Sequence, residues 1–391
     1  MRRELSMFAA LVLMCIALTI SNPDFAGHSN AINTIRQISM LGIYAIGSGF
    51  VIVTGGIDLS VGSMVGLTGV IIAKISSQAQ GGMGLSLGLG IVVALAVVLL
   101  IGLGQGLLIT RLKLQPFIVT LGGMLLIRGV SQTIVQGGTL SMGSSPLLKL
   151  ANEGLFNVGG DPLLPYPAMI FLGVIALATY LLHFTVFGRY VYAIGGNRDA
   201  AQYSGINVNR VETSTYVISA GLAGVAGICY AAYIGQMSQQ VGVAYELYAI
   251  AAVVLGGCSL RGGEGTVLGI VIGSAMMRVI DNGINMFQLR YNDPDGVPRL
   301  WRLNPNWTFI IVGAVILIAV ILDQVVHIVQ SARHVRHGAG PTQLASGGPP
   351  PAGAPPLEPR PAAPETARSP RARGARRRQG LWAMPSRSVP S

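Results

Sequence analysis

The sequence predicts an all-α polytopic membrane protein of about ten transmembrane helices, followed by a disordered C-terminal tail. Three observations carry this. Of 391 residues, 51% are apolar and only 10% are charged, whereas a soluble domain is about a quarter charged. Apolar runs close to the ~20 residues that cross a bilayer recur along the chain. Glycine is abundant, at 53 residues, as suits helices whose backbones approach closely in lipid. The alternating, roughly ten-residue pattern of an outer-membrane barrel is absent.

The spans are expected at 5–21, 31–53, 58–77, 87–110, 116–136, 166–186, 211–234, 246–260, 265–287 and 307–328. Arg2 and Arg3 precede the first apolar run, as in a signal peptide. The SNPDF that follows lacks a small-x-small cleavage site, so an uncleaved first span is expected. Pro116 opens the fifth span, where its missing N–H has no partner to lose. The third and eighth runs are short or glycine-broken and are either spanning or re-entrant.

Lys and Arg in the connections set the orientation. One side carries Arg2, Arg3, Arg111, Lys113, Arg189, Arg198, Arg210 and Arg261; the other has Lys149, Arg290, Arg299 and Arg302. This bias places both termini in the cytoplasm and makes 137–165 an outward cap. The membrane domain is expected over 1–335 and the Pro/Ala/Arg-rich tail over 336–391. That tail cannot bury enough apolar surface to fold. It also holds most of the net charge of +11, so a nucleic-acid-binding patch is not a property of the folded part. It reads either as a polybasic segment meeting anionic lipid or, as the composition favours, as a non-native extension translated past a lost stop or in a shifted frame. Cys15, Cys229 and Cys258 lie in apolar runs with no metal or disulfide spacing.

Polar groups in apolar sequence are the candidate functional residues. The stretch 54–67, TGGIDLSVGSMVGL, places Gly55 and Gly56 beside Asp58, Ser60 and Ser63. Two readings stand. The break lines a cavity, since irregular backbone survives at membrane depth only in protein or along water; or it is a tight turn with Asp58 capping the next helix. A similar shape recurs at 255–269, LGGCSLRGGEGTVLG, with Gly256 and Gly257, which suggests an internal repeat. Arg128, Gln132 and Gln136 form an i, i+4, i+8 stripe that lines a passage for a hydroxyl-rich solute or bonds neighbouring helices. Gln105, Glu246, Asp281, Asn282 and Asn285 are further intramembrane polar groups, with Arg278 placed to neutralise Asp281. No metal-binding, Walker or nucleophile-elbow motif appears.

The largest polar interruption is 187–210, FGRYVYAIGGNRDAAQYSGINVNR. Asn197 is a good N-cap, Asp199 suits a helix start, and Gly205 is a good terminator. The spacing predicts a short helix over 198–204. Its Ala200 and Ala201 are small enough to admit another protein surface. Asn209 and Glu212 resemble a capping box opening the next span. By these features alone the segment is either a well-made connection or a docking element.

Here a family resemblance enters. FGRYVYAIGGNRDAAQYSGINV resembles the cytoplasmic coupling segment of permease subunits of bacterial ABC importers of the ribose, xylose, arabinose and galactose group. GGIDLSVGSMVGL, PFIVTLGGMLLIRG and LGGCSLRGGEGTVLG resemble further signatures of that family, in its order, over about residues 5–330. The resemblance implies a permease fold like that of vitamin B12 importers, in the bacterial inner membrane. Two permease chains would form the pathway, with two ATPase subunits that bind ATP and Mg²⁺ and a periplasmic or lipid-anchored binding protein that delivers a pentose or hexose. This chain would bind no cofactor and have no ATPase site. Gly195, Gly196, Asn197, Arg198, Asp199, Ala200, Ala201, Ser204 and Gly205 would form the ATPase-coupling loop. Gly55, Gly56, Asp58, Ser60, Arg128, Gln132, Gly256 and Gly257 would lie along the pathway. The competing classes are a membrane enzyme acting on lipid or isoprenoid substrates, which lacks its clustered carboxylates here, and an ATPase-independent carrier.

Overall fold

The computed structural model describes residues 2–79, 81–158, 161–292, 298–302, 304, 306–314, 317–318 and 321. The chain divides into Met1–His334 and Val335–Ser391, and the second unit, with the expected tail, lies outside the described residues. In chain order the helices are α1 (Arg2–Ser21), α2 (His28–Val53), α3 (Val61–Ser76), α4 (Leu87–Arg111), α5 (Pro116–Val135), α6 (Leu147–Asn152), α7 (Tyr166–Thr179), α8 (Val186–Gly196), α9 (Arg198–Tyr203), α10 (Val208–Ile234), α11 (Tyr245–Leu255) and α12 (Val267–Met286). Short strands accompany them. β1 (Thr139–Ser141) pairs antiparallel with β4 (Gln236–Ser238), β2 (Gly154–Val158) with β3 (Asp161–Pro165), and β5 (Gln288–Asn292) with β6 (Pro298–Arg302).

Seven helices among the described residues are long and apolar enough to cross a membrane. They are α1, α2, α4, α5, α10, α12, and α7 with the π-helical turn Tyr180–Phe184 that continues it. The third and eighth expected spans are the shorter helices α3 and α11. The tenth is helical at 307–314, and much of the rest of 307–328 lies outside the described residues. The helix ends follow their chemistry. Ser86 accepts from Leu89 N–H to start α4, Pro116 occupies the first turn of α5, and Gly235 closes α10 at φ 71°. One start differs from expectation. Asn207, not Asn209, caps α10, accepting from Arg210 N–H at 3.2 Å. Glu212 is engaged elsewhere, by Arg198.

Burial shows which helices form the axis. In its most apolar stretch α2 is 78% buried, against 22% for α4, 17% for α5 and none for α1. The core is therefore α2 with α3 and α10, to which Tyr44, Phe50, Met64 and Cys229 contribute fully or almost fully buried side chains. The α4 and α5 faces stay apolar and outward.

Two sets of connections gather at opposite ends of the bundle. At one end, Gly263 N–H donates to Val53 O at 2.8 Å, and Gly195 lies directly against both residues. At the other, Ser77 donates to Ser141 O at 2.5 Å, and Met142 N–H to Gly235 O at 2.9 Å. Hence α3 runs from one end to the other and is no re-entrant loop. The connection 137–165 is also ordered where described, through β1, α6, β2 and β3.

The segment 236–244 does something the apolar pattern conceals. It leaves β4 and descends along α3: Met237 lies at Gly69, Val241 O at Gly66 and Gly242 O at Gly62. Only then does α11 begin. The eighth crossing is thus half irregular backbone and half helix. This pairs it with an unexpected counterpart. A long helix, a break and a short helix occur as α2, 54–60, α3 and again as α10, 235–244, α11, and α2 and α10 run in opposite directions. This inverted pair differs from the same-direction match of 54–67 to 255–269.

The interlock is made by glycine. A Cβ on Gly242 would sit 2.3 Å from Gly62 O, and its φ is +86°. Gly242→Ala is therefore expected to destabilise the bundle by about 2–4 kcal/mol, from left-handed strain plus overpacking. Thermal unfolding in detergent, followed by loss of the monodisperse peak, measures this. Gly104→Ala, which meets open space on α4, is the control and stays near the parent.

Candidate functional site

The polar groups collect into three centres. The first is the 187–210 connection. Thr185 caps α8, accepting from Gly188 N–H, and α8 runs to Gly196. Gly195 lets α8 close on the end of α2: a Cβ there would fall 1.9 Å from Val53 O. Asn197 Oδ1 then accepts from Ala200 N–H at 2.9 Å and starts α9, with Asp199 in its first turn. Ser204 donates to Ala200 O at 2.8 Å, and Gly205 turns the chain at φ 85°. The expected short helix is present and ends at Tyr203, one residue early.

The helix is fixed to the bundle by one side chain. Arg198 Nε lies 2.8 Å and Nη2 3.2 Å from the two oxygens of Glu212 on α10. This two-point pair holds the guanidinium above its ordinary pKa, through the hydrogen bond first and the Glu212 charge next, against some desolvation. The Arg198 side chain is 46% exposed, so the pair is worth about 1 kcal/mol at most; its role is orientation. Ala201 is buried against the bundle, so Ala200 alone of the two small residues is on the surface. Sequence reasoning passed over Tyr203, which stands 92% exposed at the tip. An aromatic two places after the inward Ala201 was the available signal.

The second centre is the break at 54–60. Asp58 Oδ1 accepts from Ser60 N–H at 2.9 Å, and Oδ2 accepts from Ser219 Oγ on α10 at 2.8 Å. The Ser60 hydroxyl lies 2.6 Å from Asp58 Oδ1 and 3.1 Å from Gln105 Oε1 on α4, and its one proton serves one at a time. The Thr120 hydroxyl of α5 lies 3.2 Å from Ile57 O and 2.9 Å from Pro116 O of its own helix, and its one proton serves one at a time. Asp58 is 2% exposed and Ser60 not at all. These residues form a closed polar knot between four helices, not the wall of a cavity in this chain. Gly55 and Gly56 lie on the other side of the break, in a recess of about 340 Å³ with Lys113, Arg198, Glu212 and Tyr216.

The third centre joins α5 to α11. Arg128 Nη2 lies 3.7 Å from Glu246 Oε1, with Gly62 against Glu246 Oε2. Gln132 and Gln136, further along the stripe, are exposed, so the stripe does not converge on one polar surface. Gly256 and Gly257 are packing and turn residues: Gly256 lies against Gly269 O and Gly257 has φ 83°. Arg278 pairs with Asp281 at 3.2 Å as expected, and also donates to Tyr230 at 2.8 Å and lies over the Tyr248 ring.

Known proteins show the same pattern over most of the chain. The family model described as "Branched-chain amino acid transport system / permease component" matches residues 30–320. The chain is 38% identical to the ribose import permease protein RbsC of Escherichia coli (strain K12) over 319 residues, 81% of this chain and 92% of that one. It is 38% identical to RbsC of Bacillus subtilis (strain 168) over 323 residues, covering 82% and 93%. It is 33% identical to the galactose/methyl galactoside import permease protein MglC of Haemophilus influenzae over 326 residues, covering 81% and 92%. No solved structure matches.

The Asp58 knot makes a direct prediction. Asp58→Ala strands the Ser60 and Ser219 donors in the interior, at about 1–3 kcal/mol per orphaned group. A clear fall in thermal midpoint in detergent is expected, with Asp58→Asn falling less because it keeps one acceptor. An Asp58→Ala protein as stable as the parent would show that these hydrogen bonds do not hold the turn in place.

Proposed function

This chain belongs to the branched-chain amino acid transport system / permease component family, and from that premise we propose that it is the membrane-spanning permease subunit of an ATP-binding-cassette importer for a monosaccharide. The sugar rests on the names of the similar import permeases, ribose and galactose, matched over nearly their full length. Pentose and hexose both fit. The chain sits in the bacterial inner membrane with both termini in the cytoplasm. A second permease chain, most simply another copy, completes the pathway, and the outward faces of α4 and α5 are apolar enough to meet it or lipid. ATP and Mg²⁺ are held by separate ATPase subunits, and a periplasmic or lipid-anchored binding protein delivers the sugar.

One observation carries the coupling role: a capped six-residue helix, exposed along its outer side and clamped to a long core helix. Docked in an ATPase groove, α9 would offer Tyr203 as an aromatic anchor and Ala200 as a close contact. Its movement reaches α10 directly through Arg198–Glu212. Seven residues further along α10, about 10 Å, Ser219 holds Asp58 at the break. The ATPase stroke therefore has a short route to the α2–α3 turn, which would lie beside the pathway. Gly55, Gly56, Asp58, Ser60, Arg128, Gly256 and Gly257 shape that region through backbone turns, the knot and the α5–α11 ion pair; Gln132 faces outward on α5.

Proteoliposomes containing the chain, its ATPase and its binding protein test this. Tyr203→Ala and Ala200→Arg are expected to weaken ATPase association by tenfold or more, on the order of 1–2 kcal/mol for a lost anchor. Sugar uptake should fall in parallel, with abundance and thermal stability unchanged. Full-rate uptake by the chain alone would falsify the reading in favour of an ATPase-independent carrier.

A further inference from the structure

The recess beside Gly55 and Gly56 has a composition that a neutral sugar's route does not need. It lies at the α9 end of the bundle, between the break, the turn 111–116 and the start of α10. Its volume of about 340 Å³ falls at the lower end of small-molecule sites. Two cations, Lys113 and Arg198, stand on its wall with a single carboxylate, Glu212. That carboxylate is already taken by Arg198 through both oxygens. Lys113 makes no ion pair among the described residues, and its backbone sits at φ 54°, a left-handed conformation that residues other than glycine seldom adopt. At the inner wall is Tyr216, 2% exposed, whose hydroxyl has no hydrogen-bond partner. Gly56 leaves it room: a Cβ there would stand 2.6 Å from the Tyr216 hydroxyl. A buried hydroxyl without a partner is a standing deficit that a ligand can remove.

We propose that this recess is a binding site for a small phosphate-bearing polyol, with the phosphate on Lys113 and the outer edge of Arg198 and a ligand hydroxyl or phosphate oxygen on Tyr216. The net positive wall selects an anion. The mixed polar and apolar lining, with Ile109, Leu114 and Pro116 beside the polar groups, suits a carbon skeleton carrying hydroxyls. A free sugar phosphate and the glycerophosphate headgroup of an anionic lipid present this same chemistry. The site stands on its own geometry and holds whether or not the transport reading does.

The test is equilibrium binding to the full-length chain. Radiolabelled ribose 5-phosphate is titrated against the protein in nanodiscs of phosphatidylcholine, with ribose and inorganic phosphate as competitors. Saturable binding is expected, with ribose competing at least tenfold more weakly than the phosphorylated sugar. Lys113→Gln is expected to weaken binding about tenfold, and Tyr216→Phe several-fold. Lys113 is exposed and Phe keeps the ring, so both proteins retain the fold, which a matching thermal midpoint checks. A second arm uses nanodiscs of phosphatidylglycerol. If the headgroup is the occupant, the apparent affinity for ribose 5-phosphate drops there, and Lys113→Gln abolishes the drop. Absence of saturable ribose 5-phosphate binding in the phosphatidylcholine nanodiscs overturns the proposal. So does binding that neither substitution alters, or binding in which ribose competes equally.

Discussion

The turn that joins α2 to α3 lies largely buried at one end of the bundle and must find partners for its backbone, and this requirement shapes that end of the protein. Water is scarce there, and an unpaired polar group is costly. At 54–60 the solution is a carboxylate. Asp58 ties the turn to itself through Ser60 and to α10 through Ser219, while the Thr120 hydroxyl of α5, shared with Pro116 O, lies within reach of the Ile57 carbonyl. One short irregular segment thereby fixes the relative positions of α3, α5 and α10. At 236–244 the solution is different. The descending chain lies on glycines of α3, where the absence of Cβ lets backbone meet backbone. The first break is covered by α4, α5 and α10, and the second lies on α3, so each depends on its neighbours.

Glycine is a poor helix former, by roughly 1 kcal/mol against alanine, yet Gly62, Gly66, Gly69, Gly224 and Gly227 all lie inside helices. Their positions account for it. Gly227 of α10 lies against Val65 O and Thr68 of α3, and Gly69 of α3 lies against Met237. Close approach recovers dispersion contact along the whole seam, which one methyl group at any of these sites would hold apart. The same logic acts at the α9 end, where Gly195 brings α8 onto the Val53–Gly263 junction. The closest backbone packing in the molecule is thus glycine-lined, while the outward faces of α4 and α5 carry the large apolar side chains.

Much of this was legible in the chain. Apolar runs are long and cleanly punctuated, so the long spans emerge from composition, and Gly55–Gly56 marks a break because two adjacent glycines cannot be neutral in a helix. Asn197, Asp199 and Gly205 announce α9 for the same local reason. What stayed hidden is tertiary. Nothing in 236–244 says that it descends beside α3, because irregular backbone has no period to read. Ser219 looks like any small residue of a glycine-rich helix until Asp58 is placed opposite it. Asn209 and Glu212 have capping-box spacing, but Arg198 competes for the Glu212 carboxylate and Asn207 lies closer to the true helix start. The matching letters at 255–269 suggest a repeat of the first break, whereas the segment that shares its order of long helix, irregular backbone and short helix is 235–244, with a different sequence.

The inverted arrangement has a mechanical consequence. α2 and α10 lie against each other in opposite senses, and each ends in a break that the other half of the pair covers. A displacement entering α10 at Glu212 cannot be absorbed along the helix, because twenty-odd residues of intact backbone hydrogen bonds resist bending. It is passed instead to the places where the backbone is already irregular, 54–60 and 235–244. Those are the segments with the least helical stiffness, and they meet α3 from both sides. Under the coupling proposed above, the bundle would pivot rigid rods about two glycine-bearing joints, with Asp58 setting how firmly the first is held. The polar residues between the helices would then act as fasteners, which fits how few of them face open space in a single chain.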